Sequence, residues 1–306
     1  MTSATARVPA KINLGLGVGP VREDGFHQLA TVYQALDVHD EVRATLAEDS
    51  DDIEVSVHLE SSSTESSEVP EGKDNLAVRA ARALQDAMGV EAGARLAIRK
   101  VIPVAGGMAG GSADAAAALV ACNAIWGTGL GRDELTELAA DIGSDVPFLL
   151  HGGTAIGGGR GENISPILGR GSYYWVVAVS DRGLSTPAVY AEFDRLTTGQ
   201  DVPQPSVPDD ILAALRAGDP DALGDALSND LAAAALSLRP DLRDVLAIGS
   251  GAGALGAIVS GSGPTCLFLA HDESHRLDLA MALASSGVCA DVIQARGPVP
   301  GAHLIT

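Results

Sequence analysis

The alternation of apolar and polar residues predicts that the chain begins with β-strands. Residues 6–19 read as a strand that ends in a turn, the chain reverses at 22–26, and strand-like stretches follow at 31–37 and 53–59. Residues 60–74 contain almost no apolar side chain, which is typical of an exposed loop rather than of a domain boundary. The first part of the chain is therefore expected to be rich in β-structure.

From residue 75 onward the apolar positions follow the period of a helix. They recur at helical spacing over 75–88, and Gly89 follows where a glycine commonly ends a helix. The later pattern predicts, in chain order, a strand at 94–99, helices at 112–126 and 132–141, a strand at 175–179, a helix at 187–196, helices within 209–248, strands at 254–260 and 265–270, a helix at 273–286 and a strand at 290–295.

A change of composition predicts two domains. Residues 160–172 are polar and contain glycine, and a new strand follows them. We therefore expect an N-terminal domain over residues 1–165 and a C-terminal domain over residues 166–306, both of the α+β class.

The composition is that of a folded globular protein, and the charge narrows the choice of partners. Of the 306 residues, 46% are hydrophobic and 20% are charged, which is too apolar for intrinsic disorder. The formal net charge of −20 repels polyanions and anionic lipid surfaces, so neither nucleic acid nor a membrane is an expected partner. An anionic substrate would need lysines or arginines that reverse this field locally.

The cysteines indicate a reducing compartment. Cys122, Cys266 and Cys289 are far apart and show neither a CxxC pair nor metal-ligand spacing. No segment has the uninterrupted apolar length of a signal peptide core or of a membrane span. We therefore expect a cytoplasmic, untargeted protein with reduced thiols. The sequence predicts no oligomeric state.

A glycine-rich segment, PVAGGMAGGS at residues 103–112, is the first candidate for chemistry. A helix is predicted directly after its glycines, so free backbone N–H groups and the positive helix end converge on one point that suits a phosphate. The segment is neither a Walker A loop, because no GK[ST] follows, nor a dinucleotide-binding fingerprint. Two alternatives stay open, namely that it is only a flexible turn and that Ser112 and Asp114 are simple N-cap residues.

Three further segments make the pattern more specific. They are AKINL at 10–14 with DGFH at 24–27, DIGSDVP at 141–147, and SGSGPT at 260–265. Together with the glycine loop, and in this order, they resemble the GHMP kinases, a family of small-molecule kinases. The likeness runs from Lys11 to Thr265, which is nearly the full chain.

This resemblance implies a fold and an activity. The fold would be a two-domain α+β GHMP kinase, with an N-terminal domain similar to ribosomal protein S5 domain 2 and a ferredoxin-like C-terminal domain. The activity would be transfer of a phosphoryl group from ATP, with Mg²⁺, to a hydroxyl of a cytidine diphosphate-linked polyol. The residues expected to bind ATP are Asn75, Lys100, Pro103, Val104, Ala105, Gly106, Gly107, Met108, Ala109, Gly110, Gly111, Ser112 and Ala113.

The resemblance also implies that Lys11 and Asp145 flank the hydroxyl that is phosphorylated, with Asp145 as its base. Lys11 lies in an apolar strand, where a buried ammonium group needs an anionic partner. The alternative for Lys11 is an edge lysine whose head reaches solvent. Asp145 could equally be an N-cap or a turn residue. Asp141 is a rival base, although its position suits the surface of the preceding helix better.

A second group of residues is expected to bind the acceptor, and it consists of Asn13, Phe26, His27, Thr186, Pro187 and Tyr190. By resemblance, His27 reads the edge of a cytosine, and Phe26 and Tyr190 stack on its two faces. Phe26 departs from the tyrosine common at its position and lacks that hydroxyl. The alternatives are a structural histidine, an aromatic ring on a buried helix face, and, for Asn13, an asparagine that faces solvent.

Some alternatives concern the nucleotide end and the function as a whole. Asn75 could be merely an N-cap and Lys100 merely a charge at a strand end. The chain could be a GHMP kinase of the homoserine or mevalonate type, or a catalytically silent nucleotide-binding protein of the same fold. Retention of both Lys11 and Asp145 argues against the silent protein. No acidic residue stands out as a magnesium ligand.

Overall fold

The computed structural model describes residues 2–60, 69–104 and 106–305. The loop predicted at 60–74 therefore lies partly outside the described residues, and Ala105 of the glycine loop lies outside them altogether. Within the described ranges, no helix is both long and apolar enough to cross a membrane.

The first half of the chain forms a large, mostly antiparallel sheet covered by helices. Its strands are β1 (Ser3–Val21), β2 (His27–Ala47), β3 (Ile53–Leu59), β4 (Gly93–Lys100), β5 (Thr154–Gly158) and β6 (Asn163–Pro166). Its helices are α1 (Leu76–Met88), α2 (Gly110–Trp126), α3 (Arg132–Ile142) and α4 (Val146–His151). Strand β1 pairs with β2, β2 with β4 and β5, and β3 runs parallel to β4.

The long hairpin of β1 and β2 carries the site, and its shape follows from its register. The register shifts between Pro9 and Ala10 and again between Asn13 and Gly15, on either side of Lys11. Such bulges bend a strand and increase its twist. The middle of β1 is buried on both faces. Helix α2 packs against β1 and β2, and residues from the second half of the chain, such as Ile211, lie close to β1 at Gly15. The alanine-rich surface of α2 allows this close approach, and most of its residues are buried.

The second half forms a four-stranded antiparallel sheet flanked by helices. Its elements are β7 (Tyr173–Val179), α5 (Thr186–Leu196), α6 (Asp209–Ala217), α7 (Pro220–Ala226), α8 (Ala232–Leu238), α9 (Leu242–Gly251), β9 (Gly256–Val259), β10 (Cys266–Ala270), α10 (Glu273–Ser286) and β11 (Asp291–Gly297). The strand order β11-β7-β10-β9, with helices after β7 and β10, is the ferredoxin-like arrangement.

The second sheet is buried on both faces. Val177 and Leu267 belong to the cluster that also contains residues of the first sheet, whereas Val176 and Phe268 pack in a second cluster with Leu279 of α10. Adjacent residues of one strand point to opposite faces, so the near-continuous apolar runs of β7 and β10 are explained by cover on both sides.

Most of the predicted elements are confirmed, but the second strand is much longer than predicted, because β2 runs over His27–Ala47 rather than 31–37. The helices at 75–88, 112–126 and 132–141 and the strands of the second sheet are found within a few residues of their predicted bounds. The strands β5 and β6, the helix α4 and two very short strands, β8 (Ser228–Asn229) and β12 (His303–Ile305), were not predicted.

The chain passes from the first sheet to the second between Pro166 and Tyr173, and β12 returns to pair with β1. The predicted division of the chain at residue 165 stays a prediction.

A buried hydrogen bond joins the two sheets. The indole N–H of Trp175 on β7 donates to Oε1 of Gln34 on β2 over 2.9 Å, and both side chains are fully buried. The amide of Gln34 in turn donates to Thr154 Oγ1 at 3.3 Å. A buried donor costs far more when it is left without an acceptor than its bond contributes.

Replacing Gln34 by leucine should therefore destabilise the protein by about 1–3 kcal/mol, because the Trp175 N–H is left buried without an acceptor. Urea unfolding of the purified variant measures this loss. The matched control is the double variant Gln34→Leu/Trp175→Phe, which removes donor and acceptor together and should regain part of the loss. A Gln34→Leu protein as stable as the wild type would show that the bond does not stabilise the contact between the sheets.

Candidate active site

A cavity of about 530 Å³ opens between the two halves of the chain. Strand β1, the glycine loop and the turn after β9 line it together with the start of α5. The predicted residues that line it are Lys11, Asn13, Asn75, Lys100, Pro103, Val104, Gly106, Gly107, Ala109, Gly110, Gly111, Asp145, Thr186 and Tyr190. The predicted residues Phe26, His27, Met108, Ser112, Ala113 and Pro187 do not belong to its lining.

The ammonium group of Lys11 is buried and surrounded by acceptors. Only 6% of the residue is exposed. Its Nζ lies 3.3 Å from Asp145 Oδ1, donates to Asn13 Oδ1 at 3.1 Å, and stands 5.0 Å from the centre of the Tyr33 ring. The geometry thus differs from that of an edge lysine reaching into solvent, and it matches a buried cation paired with a carboxylate.

Asp145 occupies the cap position of α4, but its side chain makes no capping hydrogen bond. Pro147 in the first turn of that helix lacks an N–H, and so lowers the need for a cap. The carboxylate is 28% exposed and faces the cavity, with Lys11 as its ion-pair partner. It is therefore available to a ligand. The rival residue Asp141 is exposed at the end of α3.

Two tyrosines near Asp145 were not predicted to interact with it. Burial, and then the negative charge of Asp145, raises the pKa of Tyr33 well above its ordinary value. The same two causes raise the pKa of Tyr190 to about 12. Both hydroxyls therefore stay protonated at neutral pH, and they can act only as neutral hydrogen-bonding groups beside the carboxylate.

The glycine loop is held against β1 and against the turn at residues 260–263. The backbone N–H of Lys11 donates to Met108 O at 3.2 Å, and Ser260 Oγ donates to Gly107 O at 3.2 Å. Gly107 has a φ of +73°, and a Cβ there would lie 2.6 Å from Ser260 O. Only glycine fits this position, because both the conformation and the space exclude a side chain.

Helix α2 begins immediately after this loop without a side-chain cap. Ala109 is its N-cap residue, with a φ of +59°, so Ser112 and Asp114 lie inside the helix and are not its N-cap. The first N–H groups of a helix have no partner within the helix and carry its positive end charge. Since these groups face the cavity at Gly110 and Gly111, the loop and helix together suit an anionic phosphate.

Lys100 lies at the same end of the cavity, but it is paired within the protein. Its Nζ donates to Asp40 Oδ2 at 2.6 Å and to Asp114 Oδ2 at 2.8 Å, and all three side chains are buried. Burial lowers the pKa of Lys100, but Asp114 and Asp40 outweigh it, so the pKa is raised. The other oxygen of Asp40 accepts the backbone N–H groups of Val101 and Ile102 at 2.6 and 2.8 Å.

This buried triad, Asp40, Lys100 and Asp114, links β2, the end of β4 and α2, and so fixes where the glycine loop begins and ends. The sequence analysis identified Lys100 as a nucleotide contact and missed Asp40. A contact of Lys100 with the nucleotide stays a prediction. Asp40 could have been found in the sequence, because it is a charged residue between two apolar strand positions, Val38 and Val42.

Both predicted asparagines make hydrogen bonds within the protein. Asn75 caps α1, since its Oδ1 accepts from Ala77 N at 2.9 Å, and its amide donates to Pro70 O at 2.8 Å. Asn13 accepts from Lys11 and donates to Thr31 Oγ1 at 2.8 Å. Asn75 thus performs the capping role that was its alternative interpretation, although it also lines the cavity.

The aromatic residues near the hairpin turn pair differently from the expected sandwich. Tyr190 stacks on the ring of His27, with centroids 5.1 Å apart, while the ring of Phe26 is 54% exposed and lies 5.1 Å from the Arg160 guanidinium. His27 Nδ1 lies 2.8 Å from Gly19 O and its Nε2 lies 3.3 Å from Asp194. Both ring nitrogens of His27 therefore have a neighbour already. The stacking of a base between Phe26 and Tyr190 stays a prediction.

The remaining acceptor residues lie at the start of α5. Thr186 lines the cavity, and its hydroxyl lies 2.9 Å from that of Ser262, so α5 touches the turn after β9. Pro187 occupies the first turn of the same helix and is exposed.

Comparisons with known proteins agree with this geometry. Residues 75–153 match the family model described as the GHMP kinases N terminal domain, and residues 211–288 match the one described as GHMP kinases C terminal. A protein of Salinispora tropica named 4-diphosphocytidyl-2-C-methyl-D-erythritol kinase is 54% identical over 97% of this chain and 93% of its own length. The chain belongs to the GHMP kinase family.

Further relatives of this GHMP kinase carry the same name. One from Thermobifida fusca is 52% identical over 99% of both chains. A crystal structure of 4-(cytidine 5'-diphospho)-2C-methyl-D-erythritol kinase is 32% identical, with a TM-score of 0.74 over 95% of this chain and 98% of that one. A homoserine kinase from Cytophaga hutchinsonii, with a TM-score of 0.76 over 100% of this chain and 98% of its own, is 18% identical and shows a common fold alone.

These comparisons confirm the predicted family and the predicted two-domain α+β fold. The family consists of ATP-dependent kinases, so ATP is supported as the phosphoryl donor. The roles of the individual residues stay predictions.

The triad gives a prediction about stability. Replacing Lys100 by methionine leaves two carboxylates buried without their cation, and should cost about 3–5 kcal/mol in the free energy of unfolding. Urea unfolding measures the loss. The matched control is Lys73→Met at an exposed lysine, which should change stability by less than about 0.5 kcal/mol. Equal stabilities of the two variants would contradict a structural role for the Lys100 pairs.

Proposed function

We propose that this GHMP kinase transfers the γ-phosphoryl group of ATP to the 2-hydroxyl of 4-diphosphocytidyl-2-C-methyl-D-erythritol, a step of the non-mevalonate route to isoprenoid precursors. The observation that carries the proposal is the ion pair of Lys11 and Asp145, which lies in one cavity with the glycine loop and the start of α5. The names of relatives about half identical over nearly the full chain support the choice of acceptor.

The donor would bind at the glycine loop. The uncapped start of α2 offers N–H groups and a positive end to the phosphates of ATP, and Gly107, Gly110 and Gly111 let the nucleotide approach the backbone. Because the triad holds the loop from below, these donors are in place before ATP arrives, and that reduces the reorganisation needed for transfer.

The acceptor hydroxyl would lie between Asp145 and the end of the donor. The oxygen of the acceptor hydroxyl attacks the γ-phosphorus while Asp145 accepts the hydroxyl proton, and the bond from that phosphorus to ADP breaks. Lys11 offsets negative charge on the transferring group. Asn13 and Tyr33 hold the lysine in place from two sides. Catalysis would rest mainly on positioning and charge neutralisation.

Magnesium would arrive with the nucleotide. Within the described residues there is no group of three or more His, Cys, Asp or Glu side chains that could hold a metal ion. Mg²⁺ is commonly bound through substrate phosphates, waters and one or two carboxylates, and when bound it neutralises charge on the β- and γ-phosphates. Asp114 lines the cavity at this end, and its buried Oδ1 has no hydrogen-bond partner among the described residues, so one carboxylate oxygen is left for a ligand.

The proposed location is the cytoplasm, where ATP is available. The three cysteines are free thiols, and burial raises the pKa of both Cys122 and Cys266 to about 12. Unreactive, unpaired thiols agree with a reducing compartment.

The direct test is to incubate the protein with ATP and Mg²⁺ and, in separate reactions, 4-diphosphocytidyl-2-C-methyl-D-erythritol, homoserine or mevalonate, and to measure ADP. We expect ADP with the cytidyl acceptor alone. In the same assay Asp145→Asn should lower kcat by about 10²–10⁴-fold with little change in the acceptor KM, since the lost carboxylate accepts the hydroxyl proton in the transition state rather than binding the acceptor.

The matched control for that variant is Asp141→Asn, which removes a carboxylate four residues away on the exposed end of α3 and should leave kcat within about two-fold of the wild type. ADP formed with homoserine or mevalonate instead would overturn the choice of acceptor. Full turnover by Asp145→Asn would overturn the assignment of the base.

A further inference from the structure

The turn between β5 and β6 lies next to the site, outside the lining of the cavity, and the sequence analysis treated it only as a polar boundary. It consists of residues 159–162, with the sequence Gly-Arg-Gly-Glu. Gly159 and Gly161 have φ values of +72° and +110°, which favour glycine, and Leu29 N donates to Gly159 O at 2.8 Å. The turn is thus hydrogen-bonded to β2, which pairs with the strand β1 that carries Lys11.

One end of this turn contacts the reaction centre. A Cβ added to Gly161 would collide with the hydroxyl of Tyr33, and it would lie 3.9 Å from Cβ of Ser144, the neighbour of Asp145. Tyr33 is also the ring beneath the Lys11 ammonium group. The backbone of the turn therefore lies directly behind the base and the lysine.

The other end of the turn contacts Phe26. The guanidinium of Arg160 stands 5.1 Å from the centre of that exposed ring. The side chain of Arg160 thus lies against the ring that would stack on the acceptor's cytosine, and the next residue, Gly161, lies behind the carboxylate that would deprotonate its hydroxyl. In a cytidine diphosphate-linked polyol, the group between the base and the reacting hydroxyl is the diphosphate.

The charge of Arg160 is less tightly paired than those of the two buried lysines. Lys11 is paired with Asp145, and Lys100 is paired with two carboxylates. Within the described residues the Arg160 guanidinium donates no hydrogen bond. Its ion-pair partner is Glu162, whose Oε1 lies 3.7 Å from Nε and so beyond hydrogen-bonding distance, while Oε2 of the same carboxylate accepts the backbone N–H of Arg160 at 2.6 Å.

A cation beside the Phe26 ring would help the protein to bind a diphosphate. The chain has a net charge of −20, so a diphosphate entering the cleft meets repulsion on average. A guanidinium presents planar, paired donors that match two phosphate oxygens, and stacking on an aromatic ring holds its plane in position. Arg160 is 32% exposed, which leaves it within reach of a ligand.

We infer that Arg160 binds the diphosphate of the acceptor substrate. The inference rests on the proposed function, because only a cytidine diphosphate-linked acceptor places a diphosphate at this point. It assigns to the β5–β6 turn the recognition of the anionic middle of the substrate, while Phe26 and Tyr190 would bind the base.

The experiment compares two probes, cytidine 5′-diphosphate and cytidine, that differ only in the diphosphate. Their dissociation constants are measured by calorimetry with ADP saturating the donor site. The proteins are the wild type, Arg160→Ala and Arg160→Lys. The matched control is Arg22→Ala, which removes an arginine near the same hairpin turn that is already paired with Asp24 at 3.0 Å.

We expect Arg160→Ala to weaken the diphosphate probe about ten- to hundred-fold and to leave cytidine within about three-fold, because a charged hydrogen-bonding partner of the phosphates is lost. Arg160→Lys should lie between, since it keeps the charge and loses the paired donors. Arg22→Ala should change the affinity of neither probe by more than about three-fold.

Three results would overturn the inference, and they are distinguishable from one another. Equal weakening of both probes would show that Arg160 only supports the Phe26 ring. An equal loss of affinity for the diphosphate probe in Arg160→Ala and Arg22→Ala would show that the effect comes from the net charge of the protein and not from a contact of Arg160. A wild-type protein that binds neither probe would contradict the proposed cytidyl acceptor itself, and the role of Arg160 with it.

Discussion

The need to pair the buried ammonium group of Lys11 is the constraint on which the rest of the site depends. A lysine head in the middle of a strand covered on both faces has a large desolvation cost, and the protein meets it with the carboxylate of Asp145, the amide oxygen of Asn13 and the face of Tyr33. Each of these groups lies on a different part of the chain. Their convergence fixes α4 and β2 relative to β1, and the same strand holds the glycine loop through its backbone.

A second buried cation performs the corresponding task at the donor end. Lys100 draws Asp40 and Asp114 together, so the strand before the glycine loop and the helix after it are joined beneath the loop. The N–H groups of α2 are therefore left to face the cavity, and no side-chain hydrogen bond from a described residue caps them. In the proposed function Lys11 lies beside the reacting hydroxyl, whereas Lys100 is paired with two carboxylates beneath the loop. Both lysines can be buried because each has an anionic partner.

Periodicity predicted the long helices and the strands of the second sheet, but it covered only residues 31–37 of β2 and missed several short elements. The helix α1 has an apolar stripe and a glycine at its end, and both signals are local. The strands β5 and β12 are short, and their strand conformation comes from pairing with β2 and β1, far away in the sequence. The helix α4 is a single short helical segment that begins at Val146, and the sequence analysis identified only Asp145 as its possible cap.

Only those residues of the candidate site that lie in recognisable sequence motifs could be predicted. Lys11, Asp145 and the glycines stand in recognisable segments, whereas Asp40, Tyr33 and Arg160 gain meaning only from their neighbours in space. Tyr190 is a further example, because its residue type was predicted but its contact was not. The sequence indicates an aromatic ring near the acceptor, but not that His27 would stack on it in the structure.

The central claim is that Lys11 and Asp145 act as one unit, and a double-mutant cycle on kcat tests it most directly. Turnover of the cytidyl acceptor would be measured for Lys11→Met, Asp145→Asn and the double variant, with both substrates saturating and folding of each variant checked by urea unfolding. If the pair acts as a unit, the double variant loses about as much activity as the slower single variant. Losses that multiply would contradict the account, because they would show two residues that contribute independently.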